Sequence, residues 1–443
     1  MKKNLLLMII SLSIFNCDGQ WQYVGIPGFS WGQTDLMAIA IDTSGTPYVG
    51  VTDVAASWEV AVLTYTGTQW GPIGQYGFTS SNCYVGSLVI DSSGTLYVAF
   101  ADYYDSLRGS VMKYNGSAWV FVGVQGFAPS SPHLTLDKTG TPYVVYSDNG
   151  NSNKATAMKF NGTNWDTVGT AGFSIAGVSS PSIKIDSSGT PYVGFIDFSD
   201  SSKATVMKYD GTNWVNVGIA GFSAGQVNYI KVTLNSSGVP YVVYQDLADS
   251  SKATVMKFDG TAWVNVGSAG FTDREVIGVD IAIDNSGNPF VVSTNNAGQG
   301  SLRKFDGVDW NYVGTQYFGG GSALGACIAI DRNGNPYIAF EDLAQAARTS
   351  VLKYDYTLGL TELVSTTDFT IFPNPSTSIF KIKNTSSKEE TMLQVINPLG
   401  EIVYKEKLFG RNECVVHSNL SSGIYFVSVS NEERIVVRKL IIE

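Results

Sequence analysis

The sequence predicts an all-β protein: a seven-bladed β-propeller closed by its N-terminal strand, followed by a small C-terminal β-sandwich. Three observations predict it. A unit of four short strand-like runs recurs at steps of 46 to 49 residues. Glycine and aromatic residues are abundant, with 47 Gly and 12% aromatics, whereas only 15% of residues are charged. The repeat stops near Leu363 and a different strand-rich pattern replaces it. This composition excludes a coiled coil and a disordered chain.

The N-terminus, MKKNLLLMIISLSIFNCDGQ, has the form of a secretory signal peptide. Two lysines precede an apolar run over 5–15 that is too short to span a membrane. We expect cleavage near Gly19 or Gln20. The alternative is that Cys17 is a lipoprotein cysteine, which Asn16 in front of it disfavours. No later apolar run is long enough for a transmembrane segment.

Three cysteines remain after the signal, Cys83, Cys327 and Cys414. Their odd number and wide spacing do not form a disulfide framework. We expect them to be buried small hydrophobic residues. A bridge between Cys83 and Cys327 is the alternative, and it would join repeats that are not neighbours.

Each repeat reads as four strands separated by turns. One unit reads SIKID, SSGT, PYVGFID and then KATVMKYDGTNWVNVG, and its last strand begins with a tryptophan. Four short strands in about 49 residues are typical of a propeller blade. The tryptophans that mark the repeat are Trp21, Trp70, Trp119, Trp165, Trp214, Trp263 and Trp310.

A glycine column marks the turn between the first two strands of each unit. An Asp or Asn opens this turn, and we expect its side chain to cap it while the glycine supplies a positive φ. Proline follows in six of the seven units, at the first residue of a strand, where a missing donor costs little. The glycines are Gly45, Gly94, Gly140, Gly189, Gly238, Gly287 and Gly334.

The tryptophan strand and the rest of the unit are out of phase. Trp21 comes before the first turn, and the last unit ends in VLKYDYTLGLTE with no tryptophan after it. We therefore predict that WQYVG, at the N-terminus, completes the seventh blade. Such closure removes the exposed sheet edges that an open array would leave. The predicted organisation is a signal peptide at 1–20, a propeller at 21–360, a linker at 361–367 and a C-terminal domain at 368–443.

The C-terminal segment carries a distinctive set of motifs. They are FPNP, then VINPLGEIV, then LSSGIYFVSV and a closing KLI, with the marking residues Phe372, Pro373, Asn374, Pro375, Gly400, Gly423, Tyr425 and Lys439. Together these resemble the type A C-terminal sorting domain of the type IX secretion system of Bacteroidetes. The resemblance implies export through the periplasm and across the outer membrane, with the type IX machinery as partner. It also implies that the cargo is released or held on the cell surface.

Charge restricts the partners of the propeller. Residues 21–362 contain 17 basic and 28 acidic residues, whereas 363–443 contain 9 of each. An acidic propeller is a poor partner for nucleic acid, which needs a basic track. We therefore predict no nucleic acid ligand.

Residues for catalysis are few, and we predict no enzyme activity, no cofactor and no metal. His133 stands alone on one inner strand, and no second histidine is near enough in the pattern to form a zinc site. The turns DNSGN and DRNGN lack the acidic ligand that calcium loops carry several residues later.

Two charged columns repeat with the blades. One ends the second strand of most units, and a lysine column runs beside it. We expect the two columns to hydrogen-bond and form ion pairs at the rim of the blades, with ligand contact as the alternative. Their members are Asp53, Asp102, Asp148, Asp197, Asp246 and Asp342, and Lys113, Lys159, Lys208, Lys257, Lys304 and Lys353.

The predicted function is a secreted or cell-surface binding module without catalysis. It would engage glycan or protein ligands through the loops between strands two and three and between adjacent blades, since binding residues usually lie on loops of a rigid scaffold. The propeller is similar to fucose-lectin-like propellers at the level of architecture only. The alternatives are a polysaccharide-active enzyme that uses the central channel and an adhesive surface protein without a small ligand. The candidate contacts are Trp58, Tyr103, Tyr104, Asp102, Asp148, Asp197 and Asp246.

Overall fold

The computed structural model describes residues 20–80, 82–321, 323–356, 369–377, 379–384, 391–397, 402–408, 413–417, 420–430 and 435–443. It separates into two compact units, one spanning Asp18–Tyr356 and one that includes Thr357–Glu443. The predicted linker and all of the predicted signal peptide except Gln20 lie outside the described residues.

The larger unit consists of four-stranded antiparallel sheets, and six of those described take four consecutive strands each. Sheet 1 contains β2 Thr34–Ile41, β3 Pro47–Asp53, β4 Glu59–Tyr65 and β5 Trp70–Pro72, and sheet 2 contains β6 Cys83–Ile90, β7 Leu96–Asp102, β8 Arg108–Tyr114 and β9 Trp119–Phe121. Sheet 3 contains β10 His133–Leu136, β11 Pro142–Asp148, β12 Lys154–Phe160 and β13 Trp165–Thr167, and sheet 4 contains β14 Val178–Ile185, β15 Pro191–Asp197, β16 Lys203–Tyr209 and β17 Trp214–Asn216. Sheet 5 contains β18 Val227–Leu234, β19 Pro240–Asp246, β20 Lys252–Phe258 and β21 Trp263–Asn265, and sheet 6 contains β22 Val276–Ile283, β23 Pro289–Asn295, β24 Gly300–Phe305 and β25 Trp310–Tyr312.

Sheet 7 joins the two ends of this unit. Its first three strands are β26 Ala323–Ile330, β27 Pro336–Asp342 and β28 Arg348–Asp355, and its fourth is the N-terminal β1 Gln20–Tyr23. Trp21 of β1 lies opposite Tyr354 of β28 in an antiparallel register. The first strand of each sheet contacts the first strands of its two neighbours, and β2 contacts both β6 and β26. The all-β fold with repeated, blade-like sheets is as the sequence predicts.

Short 3-10 helices punctuate the loops. Five of them follow a second strand and one follows β25. They are Val54–Ala56, Asn149–Asn151, Phe198–Asp200, Leu247–Asp249, Gly319–Gly321 and Leu343–Gln345.

The second strands are buried because sheets lie on both of their faces. In β15, PYVGFID, every residue is buried, which explains its continuous apolar character. The adjacent turn is capped as expected: Asp186 Oδ1 accepts from the backbone N–H of Ser188 and of Thr190, each at 2.9 Å. Gly189 in this turn has φ +91°, which a side chain would strain. Burial opposes ionisation of Asp186, but the hydrogen bonds, first from the Ser188 hydroxyl, lower its pKa.

The tryptophan column ties neighbouring sheets together. Trp214 stacks on Phe173 with 4.0 Å between ring centroids, and its indole N–H donates to the carbonyl of Val168 in sheet 3 at 2.7 Å. The same bond recurs in every sheet of this unit, at 2.6 to 3.1 Å. The donor and acceptor pairs are Trp21 and Val313, Trp70 and Val24, Trp119 and Ile73, Trp165 and Val122, Trp214 and Val168, Trp263 and Val217, and Trp310 and Val266.

The smaller unit has two sheets around one core. The first sheet has the order β29–β30–β33 and the second the order β32–β31–β34–β35. Buried residues of both, such as Phe380 and Val427, form a single hydrophobic cluster. The strands are β29 Phe369–Phe372, β30 Ile379–Asn384, β31 Thr391–Ile396, β32 Ile402–Leu408, β33 Glu413–His417, β34 Gly423–Ser430 and β35 Ile435–Ile442.

The indole bonds make a stability prediction for two equivalent tryptophans. Replacing Trp214 or Trp21 by Phe removes the N–H donor and leaves a part-buried carbonyl unsatisfied. Each change should lower the free energy of unfolding by about 1–3 kcal/mol. Chemical denaturation of each variant measures it. Trp31→Phe is the control, because Trp31 is 61% exposed, and its effect should stay within about 0.5 kcal/mol. A Trp21→Phe protein as stable as this control would contradict the role assigned to β1.

Candidate functional site

The aspartate column holds the turn that follows each second strand. Asp197 Oδ1 accepts from the backbone N–H of Ser199 at 2.9 Å, and its Oδ2 accepts from the Thr205 hydroxyl at 3.0 Å. The Thr205 hydroxyl in turn accepts from the N–H of Gly221 at 2.9 Å. One carboxylate thus caps the 3-10 helix and, through Thr205, fixes the loop that leads to the next sheet.

The other predicted aspartates do the same work with small variations. Asp148 and Asp246 cap their turns and accept from Thr156 and Thr254 at 2.9 and 3.0 Å. Asp102 accepts from the backbone N–H of Tyr104 and from the Ser80 hydroxyl. Both oxygens of these carboxylates accept hydrogen bonds within the protein, one from the turn and one from a strand or a neighbouring loop, so the column has a structural role.

The lysine column does not run beside the aspartate column. In sheet 4, Asp197 lies opposite Lys203, whereas the column residue Lys208 lies opposite Tyr192 at the other end of the strands. A column lysine can instead approach the aspartate that opens the turn between the first and second strands, as Lys304 approaches Asp284 at 3.3 Å. The expected pairing between the two columns is therefore wrong, because strand reversal carries them to opposite ends.

Grooves between neighbouring sheets open at the end where the turns with the glycine column join the first and second strands. Their volumes are about 650 Å³ between sheets 7 and 1, about 550 Å³ between sheets 2 and 3, and about 280 Å³ between sheets 3 and 4. A column lysine lines each of them, and in the first groove Lys353 also lies over the ring of Tyr337 and near Asp355. These grooves repeat with the packing of the sheets.

Exposed aromatic side chains gather at the opposite end, on sheets 1 and 2. Trp31 stacks on Tyr76 with 3.8 Å between ring centroids and 6° between ring planes. Tyr103 packs edge-on against Tyr84 and Tyr104, with centroids 6.4 and 5.9 Å away. Tyr103 and Tyr104 are 56% and 71% exposed. We call these five residues the aromatic patch.

The underlying loops hold the aromatic patch in place. The Tyr76 hydroxyl and the N–H of Gly32 both donate to Asp53 Oδ2. The N–H of Tyr104 donates to Asp102 Oδ1 at 2.9 Å. The buried carboxylates of Asp53 and Asp102 therefore hold the Tyr76 hydroxyl and the backbone of the turn that carries Tyr104.

The structure places the predicted Tyr103 and Tyr104 within the aromatic patch. Trp58 lies on the neighbouring turn of sheet 1, is partly buried, and has a φ of +62°. Its carbonyl accepts from the N–H of Cys83 at 2.8 Å, which ties this turn to sheet 2. Sequence reasoning missed Trp31, Tyr76 and Tyr84.

Comparison of equivalent loop positions reveals the signal for these missed residues. No other sheet repeats the aromatic side chains of Trp31, Tyr76 or Tyr104. At the Trp31 position stand Ser80, Pro129, Ile175, Ala224, Asp273 and Gly320; at the Tyr76 position Pro27, Gln125, Ala171, Ala220, Ala269 and Gln316; and at the Tyr104 position Ala55, Gly150, Ser199, Ala248, Ala297 and Ala344.

A second set of unlike residues lies on the first strands, which are innermost. We define the inner layer as the seven residues at one register position of these strands. Each of them lies opposite the same position of the second strand in its own sheet, for example Gly50 in sheet 1 and Ala339 in sheet 7. The inner layer consists of Ala38, Ser87, His133, Ser182, Lys231, Asp280 and Cys327.

The inner layer also joins neighbouring sheets. His133 Nδ1 accepts from the N–H of Ile183 in sheet 4 at 3.3 Å. The side chains of Ser87, Ser182 and Asp280 likewise accept from a backbone N–H of the next sheet; these donors are Leu134, Val232 and Ile328. Polar residues on the first strands thus have a structural role as acceptors.

His133 is not the only ionisable residue of its layer, contrary to expectation, because Lys231, Asp280 and Cys327 share its register position. Burial, and then the charges of Lys231 and Lys184, hold the pKa of His133 well below its ordinary value, so the imidazole is neutral. Burial likewise raises the pKa of Cys327, with Asp280 adding to the effect and Lys231 opposing it. The first strands that carry the inner layer contact one another from sheet to sheet, and β2 contacts both β6 and β26, so the residues of the layer face a common space. Among the residues described, no three His, Cys, Asp or Glu side chains form a metal site.

Two carboxylates meet where sheets 7 and 1 adjoin. Glu341 of β27 lies opposite Leu324, and burial raises its pKa to about 7, with the negative charge of Asp35 on β2 as the second cause. A carboxyl group with this pKa is partly protonated near neutral pH.

Glu341 makes the contact between these sheets sensitive to pH. Its pKa in the folded protein exceeds the ordinary value of 4.5, so its contribution to stability is full below about pH 4.5 and is lost as pH rises through 7. Glu341→Gln cannot ionise. Its melting temperature relative to the unmodified protein should therefore rise between pH 5 and pH 8, by roughly 2–4 °C. Scanning calorimetry across this range measures it.

Glu275→Gln is the matched control, since Glu275 is an exposed glutamate. Its difference in melting temperature should stay constant with pH. An equally flat difference for Glu341→Gln would contradict the assignment.

The motifs of the C-terminal unit are held by hydrogen bonds between its two ends. Asn374 Nδ2 donates to the carbonyl of Lys439 at 2.7 Å, and Asn374 Oδ1 accepts from the N–H of Ile441 at 2.9 Å. Pro373 and Pro375 follow cis peptide bonds. The first motif of the tail is thereby joined to the last.

The remaining motif residues lie on the sheets or outside the described part. Tyr425 is buried, and its hydroxyl donates to the carbonyl of Ser421 at 3.0 Å. Phe372 is exposed at the end of β29, and Gly423 begins β34. Gly400 lies outside the described residues.

Three solved structures are similar to this chain at low sequence identity. AofleA from Arthrobotrys oligospora is 10% identical with a TM-score of 0.46, over 67% of this chain and 90% of that chain. A mutant Aleuria aurantia lectin is 13% identical with a TM-score of 0.44, over 66% of this chain and 99% of that chain. An ulvan lyase, a polysaccharide lyase, is 11% identical with a TM-score of 0.48, over 74% and 95%.

The C-terminal unit matches a family directly. Residues 370–443 match the secretion system C-terminal sorting domain family. No curated protein matches the chain. No helix among the described residues is both long and apolar enough to cross a membrane. The chain therefore carries a C-terminal sorting domain and is cargo of the type IX secretion system, exported to the outside of the cell or to its surface.

Proposed function

We propose that the larger unit is a closed seven-bladed β-propeller, with β1 as the last strand of the seventh blade. Three contacts across the seam support it. Trp21 of β1 donates to Val313 of sheet 6, Trp70 of sheet 1 donates to Val24 just after β1, and the N–H of Val24 donates to the carbonyl of Val351 on β28 at 2.9 Å. Each of these contacts has equivalents at the other junctions. The seam is thus bonded like the other junctions.

The domain boundaries that we propose are the ones predicted from the sequence. They are a signal peptide at 1–20, the propeller at 21–360, a linker at 361–367 and the sorting domain at 368–443. The last propeller strand ends at Asp355, and the family match begins at residue 370. These two limits support a boundary between them.

We propose that the exported propeller binds a glycan, without catalysis, on the aromatic patch. The observation that carries this proposal is the exposure of Trp31, Tyr103 and Tyr104 on one end of two adjacent sheets. Exposed rings are costly in water and mark interaction surfaces. Flat aromatic faces fit the apolar C–H faces of sugar rings, and the neighbouring tyrosine hydroxyls can bond sugar hydroxyls.

The scaffold suits binding rather than loop closure. The turns under the patch are capped by buried carboxylates, so binding need not order the backbone of these turns. A protein ligand would use the same exposed rings, and it is a separate outcome of the test below.

Binding of the full chain to immobilised neutral and acidic polysaccharides tests the proposal. Tyr103→Ala should weaken binding about tenfold, since a stacked aromatic contact contributes roughly 0.5–1.5 kcal/mol beyond its buried area. Phe198→Ala is the matched control, because Phe198 occupies the same turn position in sheet 4 and is 53% exposed. Its affinity should stay within about twofold of the unmodified protein.

Three results would contradict the proposal. Equal losses in Tyr103→Ala and Phe198→Ala would move binding away from the aromatic patch. No polysaccharide binding at all would leave a protein ligand or an adhesive role. Release of shortened chains from the bound polysaccharide would establish catalysis and direct attention to the inner layer.

A further inference from the structure

Two lysines lie on the first strands of neighbouring sheets, Lys231 in the inner layer and Lys184 beside it. Lys231 belongs to this layer, and Lys184 follows Ser182 by two residues on β14, so that it lies on the same side of its strand. Both side chains are only partly exposed. Among the described residues, neither ammonium group forms an ion pair within 4 Å.

Lys231 interrupts the bonding pattern of the inner layer. Four residues of the layer accept a hydrogen bond from the next sheet, but an ammonium group has no lone pair and cannot accept. The N–H of Ile281, which Lys231 would serve, is instead bonded to Asp280 Oδ1 of its own strand at 3.0 Å. Asp280 Oδ2 serves Ile328 at 3.1 Å. Lys231 therefore adds nothing to the contact between sheets, and Asp280 makes up for it.

We propose that the space enclosed by the inner layer binds one oxyanion, a carboxylate, sulfate or phosphate group, through the ammonium groups of Lys184 and Lys231 and the ring N–H of His133. This site is separate from the aromatic patch and does not rest on the proposed glycan binding.

The bond to His133 fixes what its ring offers. Nδ1 accepts from Ile183, so in the neutral imidazole the proton resides on Nε2. The ring is held neutral by burial and by the two lysines. Nε2 is therefore a hydrogen-bond donor without the cost of a third positive charge.

The charges of this space favour an anion. Two lysines face one aspartate, and both oxygens of Asp280 are used by backbone N–H groups. Burial lowers the pKa of Lys184, and Lys231 lowers it further against the opposing effect of Asp280. Like charges held together out of bulk water are unfavourable until an opposite charge joins them. This arrangement stands in a chain whose net charge is −10.

Calorimetric titration of the full chain at low ionic strength tests the site. The probes are inorganic sulfate, inorganic phosphate and glucuronate, and the expected result is one anion bound per chain. Lys231→Gln and Lys184→Gln should each weaken binding about tenfold, while Lys231→Arg should retain most of it. Lys208→Gln is the control: it makes the same charge change on the third strand of sheet 4, away from the first strands, and should leave affinity unchanged.

The probes also distinguish the source of the anion. Binding of glucuronate alone would indicate a sugar-borne carboxylate, and binding of the inorganic ions alone a free anion. A crystal soaked in selenate should show its anomalous signal between Lys184, Lys231 and His133. The proposal is overturned if no probe binds, or if Lys208→Gln weakens binding as much as Lys231→Gln does.

Discussion

The fold depends on hydrogen bonds that pass from one sheet to the next. A single blade of short strands has two apolar faces and cannot bury both by itself, so its stability comes from its neighbours. At the outer edge, an indole N–H such as that of Trp214 donates to a carbonyl of the preceding sheet. At the inner edge, side chains such as Ser182 accept an N–H of the following sheet. These two rows fix the distance and angle between blades, and the first tryptophan of the row, Trp21, lies on the strand that joins both ends of the unit.

Repeated residues have structural roles, whereas the candidate binding sites consist of residues that differ between the blades. The repeated tryptophans, turn glycines and carboxylates hold every blade in the same way, as Asp197 and Asp246 do. Positions where the blades differ are the candidates for a single binding site in this unit. The differences concentrate in two places, the aromatic patch on sheets 1 and 2 and the inner layer. In the layer, Lys231 replaces an acceptor and its neighbour Asp280 takes over the bond.

The sequence predicted the fold well and the candidate site only in part. The tryptophan spacing, the out-of-phase Trp21 and the capped turns are local or periodic signals, and all are visible in one chain. The lysine column was assigned to the wrong end because its side chains pair across strands that reverse direction. Trp31 and Tyr76 stack across 45 positions, and Lys231 and Asp280 come to the same register position only when sheets 5 and 6 form. Superimposing the seven first strands by register would have revealed the inner layer, since its neighbours at the next position are uniformly apolar.

Hydrogen exchange of the N-terminal strand tests the central claim, that this strand belongs to the last blade. In the structure the N–H of Val24 donates to the carbonyl of Val351 at 2.9 Å, as the N–H of Val217 does to Val206 in sheet 4. Mass spectrometry of peptides from the full chain should therefore show β1 protected to the same degree as β17. Exchange of β1 within seconds, while β17 remains protected, would show that the ring is open and would contradict the account.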